Sequence, residues 1–220
     1  MRNHTSPACV LVSGGLDSSV LLHHILAQGI RVTPLYLRCG LTWEAAELDW
    51  LRRFLRAIRS PRLASLQIVE MPLRSLYGAH WSLTGRRVPS AASPDEAVYL
   101  PGRNILLLSH AAVVCARRHI SSIALGVLKG NPFGDASPRV LAQLAGCLTK
   151  ALRHPITILT PLRRLGKTEL IRRASSLPLE LTFSCMKPRG LRHCGRCNKC
   201  GERMRAFRAA GIEDPTRYAA

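Results

Sequence analysis

The stretch that most limits how this chain can fold is CVLVSGGLDSSVLL, residues 9 to 22. Four strand-like residues run into a serine and two glycines, and an apolar helical pattern resumes directly after an aspartate and two serines. A strand that turns this tightly into a helix belongs at the carboxyl edge of a parallel sheet, the edge where open α/β folds bind ligands. The same alternation recurs down the chain. Strand-like runs at Ala8 to Val12, Arg31 to Leu37, Ala64 to Glu70, Ser122 to Val127 and Ile156 to Leu159 are joined by helical patterns. Those helices are expected at Ser18 to Gln28, Trp43 to Ile58, Arg103 to Arg118 and Val140 to Leu152, with one more from Lys167 to Ser175. The expected fold is α/β: a five-stranded parallel sheet with helices on both faces. Between Pro72 and Pro101 the chain is irregular, and so long a loop inside a compact domain is more often functional than idle.

A chain of 220 residues, 47% hydrophobic, can bury one good core with a small appendage. Its longest nearly unbroken apolar run, ILLLSHAAVVCA from Ile105, falls well short of the roughly 18 residues a membrane span needs. The N-terminus lacks the charged, apolar and small-residue order of a signal peptide, so a cytoplasmic location is expected. The formal charge of +19 raises nucleic acid as a partner. That reading is not favoured, because 27 of the 32 basic residues are arginine and many are paired along helical stretches, as on solvated faces. Aromatic residues are also too few, at 5%, for a base-stacking platform.

In SGGLDSS the glycines Gly14 and Gly15 let backbone approach an anion closely. Ser18 and Ser19 open a helix whose N–H groups and dipole favour phosphate. A plain strand-to-helix turn capped by Asp17 is the competing reading. The full string resembles the SGGxDS signature of the PP-loop ATP pyrophosphatases, carried here by Ser13, Gly14, Gly15, Asp17 and Ser18, with Val12, Leu16 and Ser19 alongside. That resemblance implies a Rossmann-like fold of the adenine nucleotide hydrolase type, and ATP cleaved between its α and β phosphates to form an adenylate. Such chemistry calls for Mg²⁺ and a lysine against the developing phosphate charge. Lys167, in TPLRRLGKTEL, meets that need, a surface helix lysine being the alternative.

Cys185, Cys194, Cys197 and Cys200 form C-x8-C-x2-C-x2-C. Four thiolates close a tetrahedral Zn²⁺ shell and leave no open position, so the site is expected to be structural, within a small helical subdomain. An iron–sulfur cluster on the same ligands and four free thiols are the alternatives. His193 is expected beside the site, and Lys187, Arg192, Arg196 and Lys199 are expected to offset its negative charge. Cys115 and Cys147 lie in apolar helical stretches and read as core.

A PP-loop near the N-terminus with this cysteine pattern near the C-terminus resembles the 7-cyano-7-deazaguanine synthase family of queuosine-precursor biosynthesis. LPGRN from Leu100 is similar to its VPGRN segment, so Gly102, Arg103 and Asn104 would open a helix into the cleft; Gly126 matches the end of its fourth strand, and TPL with Lys167 its late segment. The resemblance implies a PP-loop domain over 1–177 and a zinc subdomain over 178–220. It implies Asp17, Lys167 and Arg103 as catalytic residues, ATP, Mg²⁺ and Zn²⁺ as cofactors, and a homodimer. It further implies that 7-carboxy-7-deazaguanine and ammonia become the nitrile through an adenylated acid and an adenylated amide. Two segments depart from the family. Its SGYPDCR is replaced by NPFGDASPRV, where Gly134 and Arg139 align and Phe133 is the available aromatic, and Trp43 and Glu44 stand where basic residues are usual. The alternatives are a relative joining the activated deazaguanine, or another carboxylate, to a different amine; a PP-loop enzyme adenylating an RNA base; and a non-catalytic nucleotide-binding module.

Overall fold

The computed structural model describes residues 6–219; residues 1–5 and 220, at the outer ends of the two expected domains, lie outside the described residues. The chain alternates β1 (Ala8–Leu11), α1 (Leu16–Ala27), β2 (Val32–Arg38), α2 (Glu44–Ala57) and β3 (Gln67–Glu70). Two one-turn helices follow, α3 (Arg74–Tyr77) and α4 (Trp81–Thr84), and then a 3₁₀ turn at Asp95–Val98. After these come α5 (Arg103–Arg117), β4 (Ser122–Ala124), α6 (Pro138–Leu152), β5 (Thr157–Leu159), α7 (Lys167–Arg173) and α8 (Asn198–Ala210). All five strands pair in parallel, in the order β3-β2-β1-β4-β5. The order reverses between β1 and β4, so the SGG turn and Gly126 flank the crevice where such sheets bind ligands.

Alternation along the strands separates two cores. Cys9, Leu11, Leu35, Leu37 and Ile123 face α5 and α6, whereas Ala8, Val10, Val12, Tyr36 and Ala124 face α1, α7 and α8. The segment after residue 177 enters both: Phe183 and Cys185 join the first core, Leu179, Ala206 and Phe207 the second. Among the described residues no helix is long and apolar enough to cross a membrane.

Cys115 is buried as expected, but Cys147 is exposed. On α6 the inward stripe is Leu141, Leu144, Leu148 and Leu152. At 100° per residue Cys147 stands about a quarter turn off that stripe. Its apolar neighbours in sequence are not its neighbours in space.

Candidate active site

The phosphate-type loop is held by its own hydroxyls. Ser13 N–H donates to Ser18 Oγ (3.1 Å), Gly15 N–H to Ser13 Oγ (3.2 Å), and Ser18 Oγ–H to the Gly15 carbonyl (3.1 Å). Gly14 is left-handed at φ +73°, and its carbonyl accepts from Phe183 N–H at 2.7 Å. The helix begins at Leu16, two residues before the apolar pattern suggested, and its cap is Gly15, which makes no side-chain cap bond. Asp17 is therefore in the first turn and is not the capping residue. Its Oδ1 is buried without a hydrogen-bond partner, and its Oδ2 accepts from Lys167 Nζ at 3.0 Å. Gly126, beyond β4, presses on this turn: a Cβ there would stand 3.3 Å from Asp17 C and Ser18 N, so only glycine leaves α1 unshifted.

Lys167 opens α7, and its ammonium also reaches Glu202 Oε1 at 2.7 Å, while Glu202 Oε2 accepts from Lys199 Nζ at 2.7 Å. Burial works against the Lys167 charge, but Asp17 and Glu202 outweigh it and hold the ammonium above the usual lysine range. Burial likewise works against the Glu202 carboxylate, but Lys167 and Lys199 pull it down to about 2. These four groups, with Val12, Leu16 and Arg103, line a cleft of about 330 Å³. Arg103, the first residue of α5 after Gly102, has a buried Nε with no partner. A buried guanidinium N–H and a buried carboxylate oxygen, both unsatisfied in one cleft, are a costly pair to leave empty-handed. They are suited to an anion and a cation respectively. Ser19 Oγ in α1 is a third buried atom without a partner.

Asn104 lines the cleft with its two donors engaged by Asp135. Its N–H and its Nδ2 both donate to the Asp135 carboxylate at 2.9 Å, so the NPFGDASP loop caps α5. Arg139 is exposed and does not line the cleft, whereas Phe133 does, stacked on Tyr99 at 5.1 Å. Phe133 is the aromatic side chain that this loop brings to the cleft. The opposite wall carries Trp43 stacked on Trp81 at 5.8 Å. Glu44, one residue on, is buried and accepts the N–H groups of Cys39 and Gly40. Glu47 was not foreseen: it lines the cleft, takes the Tyr36 hydroxyl at 2.6 Å, and is pushed up to about 7 by burial, against the pull of Tyr36 and Arg103.

The four cysteine sulfurs lie within 4.8 Å of one another, with Cys185–Cys197 and Cys194–Cys200 at 4.0 Å. A tetrahedral shell with Zn–S near 2.3 Å puts sulfurs about 3.8 Å apart, so the spacing suits one metal ion. Backbone N–H groups of Met186, Lys187, Cys194 and Arg196 point at these sulfurs at 3.2–3.4 Å, which favours thiolates. His193 is a neighbour, its Nε2 accepting from Ser184 N–H at 3.0 Å. Lys199, expected to offset thiolate charge, instead pairs with Glu202 in the cleft. The helix bearing it is pinned by Arg203, 1% exposed, which donates to the Leu179 carbonyl and the Thr182 and Thr216 hydroxyls. Arg203 shares the buried stripe of α8 with Cys200, Ala206, Phe207 and Ala210, and its inward charge is met by these buried partners.

A parallel sheet whose first strand ends in a hydroxyl-braced Ser-Gly-Gly turn, with an aspartate and a lysine meeting beyond it, defines an α/β protein of the PP-loop fold type. The model of the family described as Queuosine biosynthesis protein QueC matches residues 7–211, and the chain belongs to that family. It is similar to the 7-cyano-7-deazaguanine synthase of Anaeromyxobacter dehalogenans, with 33% identity over 96% of this chain and 95% of that protein. The 7-cyano-7-deazaguanine synthase of Azoarcus sp. is 36% identical over 97% of each chain. Among solved structures, a 4-thiouridine synthetase in complex with RNA and ATP shares the fold at TM-score 0.53, with 17% identity over 94% of this chain and 50% of that one. A predicted tRNA methyltransferase subunit from Methanocaldococcus jannaschii shares it at TM-score 0.51 and 16% identity, over 77% of this chain and 74% of that one.

Proposed function

We propose that the protein is a 7-cyano-7-deazaguanine synthase, a ligase that uses ATP to convert 7-carboxy-7-deazaguanine and ammonia to the nitrile. The observation that carries this is the cleft itself: the SGG turn, the Asp17–Lys167 pair and the unsatisfied Arg103 face one space walled by aromatic rings. The carboxylate oxygen of the base attacks the α-phosphorus of ATP and pyrophosphate leaves. Ammonia then attacks the acyl carbon, losing a proton as AMP departs, and the amide results. A second ATP takes the amide oxygen in the same way with loss of pyrophosphate, and loss of AMP and of both amide protons leaves the C≡N bond.

In this reading residues Val12 to Ser19 cradle the leaving pyrophosphate through backbone N–H groups at the start of α1. Lys167 neutralises the charge developing on it. Arg103 receives the carboxylate or the α-phosphate as a forked donor. Gly102 and Asn104 set the start of α5, Gly126 keeps the crevice open beside Asp17, and Phe133 and Trp43 offer faces for the planar base. The free oxygen of Asp17 fits Mg²⁺, which when bound would screen the phosphate charge. The four cysteines fit Zn²⁺ in a structural role. A reducing cytoplasm, where such thiolates persist, and a homodimer complete the proposal.

The test is to incubate the protein with ATP, Mg²⁺, ammonia and 7-carboxy-7-deazaguanine and follow the base by mass spectrometry. Successive acid, amide and nitrile masses with AMP release are expected. Release of AMP only when RNA or a different amine is supplied would overturn the assignment.

A further inference from the structure

The cysteine-bearing helix carries two charged groups into the nucleotide cleft that the reading above leaves without a role. Lys199 lies between Cys197 and Cys200, and Glu202 lies two residues beyond. Both line the cleft with Asp17 and Lys167. The Glu202 carboxylate holds one ammonium on each oxygen, Lys167 on Oε1 and Lys199 on Oε2, both at 2.7 Å.

We propose that Lys199 is a second cationic ligand for the polyphosphate of the nucleotide, and that Glu202 is the positioning residue setting both ammoniums toward the Ser-Gly-Gly turn. This rests on the nucleotide reading given above.

The argument is electrostatic and geometric. A lysine whose only task was to offset thiolate charge would turn toward the sulfurs, but this one turns to a carboxylate in the cleft wall. Asp17 and Glu202 are two negative groups facing the space a polyphosphate must enter, and Lys167 balances only one of them. Lys199 brings that wall to neutrality. Without it the Asp17–Lys167–Glu202 cluster would present a net negative charge to an incoming anion. The backbone under Lys199 is rigid while its side chain is long: Cys197, Asn198 and Cys200 are buried, and Asn198 Nδ2 donates to the Ser93 carbonyl at 2.8 Å. The ammonium can therefore exchange a carboxylate oxygen for a phosphate oxygen without moving the helix. Folding of the four-cysteine site thus delivers a phosphate ligand as well as a scaffold.

The test is calorimetric titration of the full chain with inorganic pyrophosphate and with ATP in Mg²⁺, alongside steady-state AMP release. The variants are Lys199→Met, Lys199→Arg and Glu202→Gln, each first matched to wild type in circular dichroism and bound metal. Lys199→Met is expected to weaken pyrophosphate binding and raise the KM for ATP about tenfold, with kcat nearly kept; tenfold corresponds to about 1.4 kcal/mol. Lys199→Arg is expected to restore affinity. Glu202→Gln is expected to keep or tighten pyrophosphate binding, since a negative charge leaves the wall, while kcat falls about tenfold as the two ammoniums lose their common holder. Wild-type affinity in Lys199→Met, or parallel loss of binding in Glu202→Gln and Lys199→Met, would overturn the inference while wild-type binding upholds the nucleotide cleft. A wild-type chain that binds neither ligand would overturn the cleft reading, and this inference with it.

Discussion

Gly14→Ala separates two reasons why a glycine stands in the phosphate turn. The first is backbone: φ is +73°, and a non-glycine residue there costs about 1–2 kcal/mol. The second is crowding, because an added Cβ would lie 3.0 Å from the Glu47 carbonyl oxygen and 3.2 Å from Leu51 Cβ. Both neighbours belong to α2, and Leu51 is fully buried, so neither can swing aside as an exposed side-chain tip could. Overpacking of this kind adds about 1–3 kcal/mol. The reduced entropy of the unfolded alanine chain returns about 0.4–1 kcal/mol, leaving a net loss of about 2–4 kcal/mol. Gly29→Ala is the matched control, with φ +76° and nothing within 4 Å of its added Cβ, so it carries the backbone cost alone. Urea unfolding followed by circular dichroism should put the Gly14→Ala midpoint clearly below that of Gly29→Ala, and both below wild type. Equal losses in the two variants would refute the claim that α2 closes over the turn.

Three further outcomes are expected. Asp17→Asn should lower AMP formation by at least about 100-fold at unchanged urea midpoint, since Glu202 still holds Lys167, and wild-type turnover would remove Asp17 from the machinery. Cys197→Ser should yield metal-poor, insoluble protein, since binding at small four-ligand zinc sites is worth on the order of 10 kcal/mol of folding energy; metal analysis of wild type should return about one zinc per chain and no sulfide. Glu47 titrates near 7 in the fold against 4.5 when exposed, so the folded state holds the extra proton between those values. Its contribution is complete below pH 4.5 and is lost as pH rises through about 7, at about 3 kcal/mol in all, and Glu47→Gln should flatten that part of the stability profile.

Local signals were legible. A strand, two glycines and a helix within fourteen residues, and four cysteines within sixteen, act through neighbouring backbone, so their spacing makes an anion turn and a metal shell readable as candidates. α1 starts two residues before its long apolar run, because Gly15 caps it and Leu16, four residues ahead of Val20, already joins the buried face. The departing loop does not show in its letters that Asp135 caps α5 at Asn104, a contact 31 residues apart in the chain. Cys147 was misjudged because apolar neighbours in sequence do not say which side of α6 is covered.

The sequence alone determined a parallel α/β sheet, a glycine turn where the first strand meets its helix and a cluster of four cysteines, because each is written in short-range spacing. Only the tertiary structure could decide which charges meet: Asp17 reaches Lys167 across 150 residues, and Lys167 reaches Glu202 across 35 more. Such pairs depend on the packing of α8 on α7 and of α7 on α1, a long-range outcome of burying the core, which leaves no period in the sequence to read.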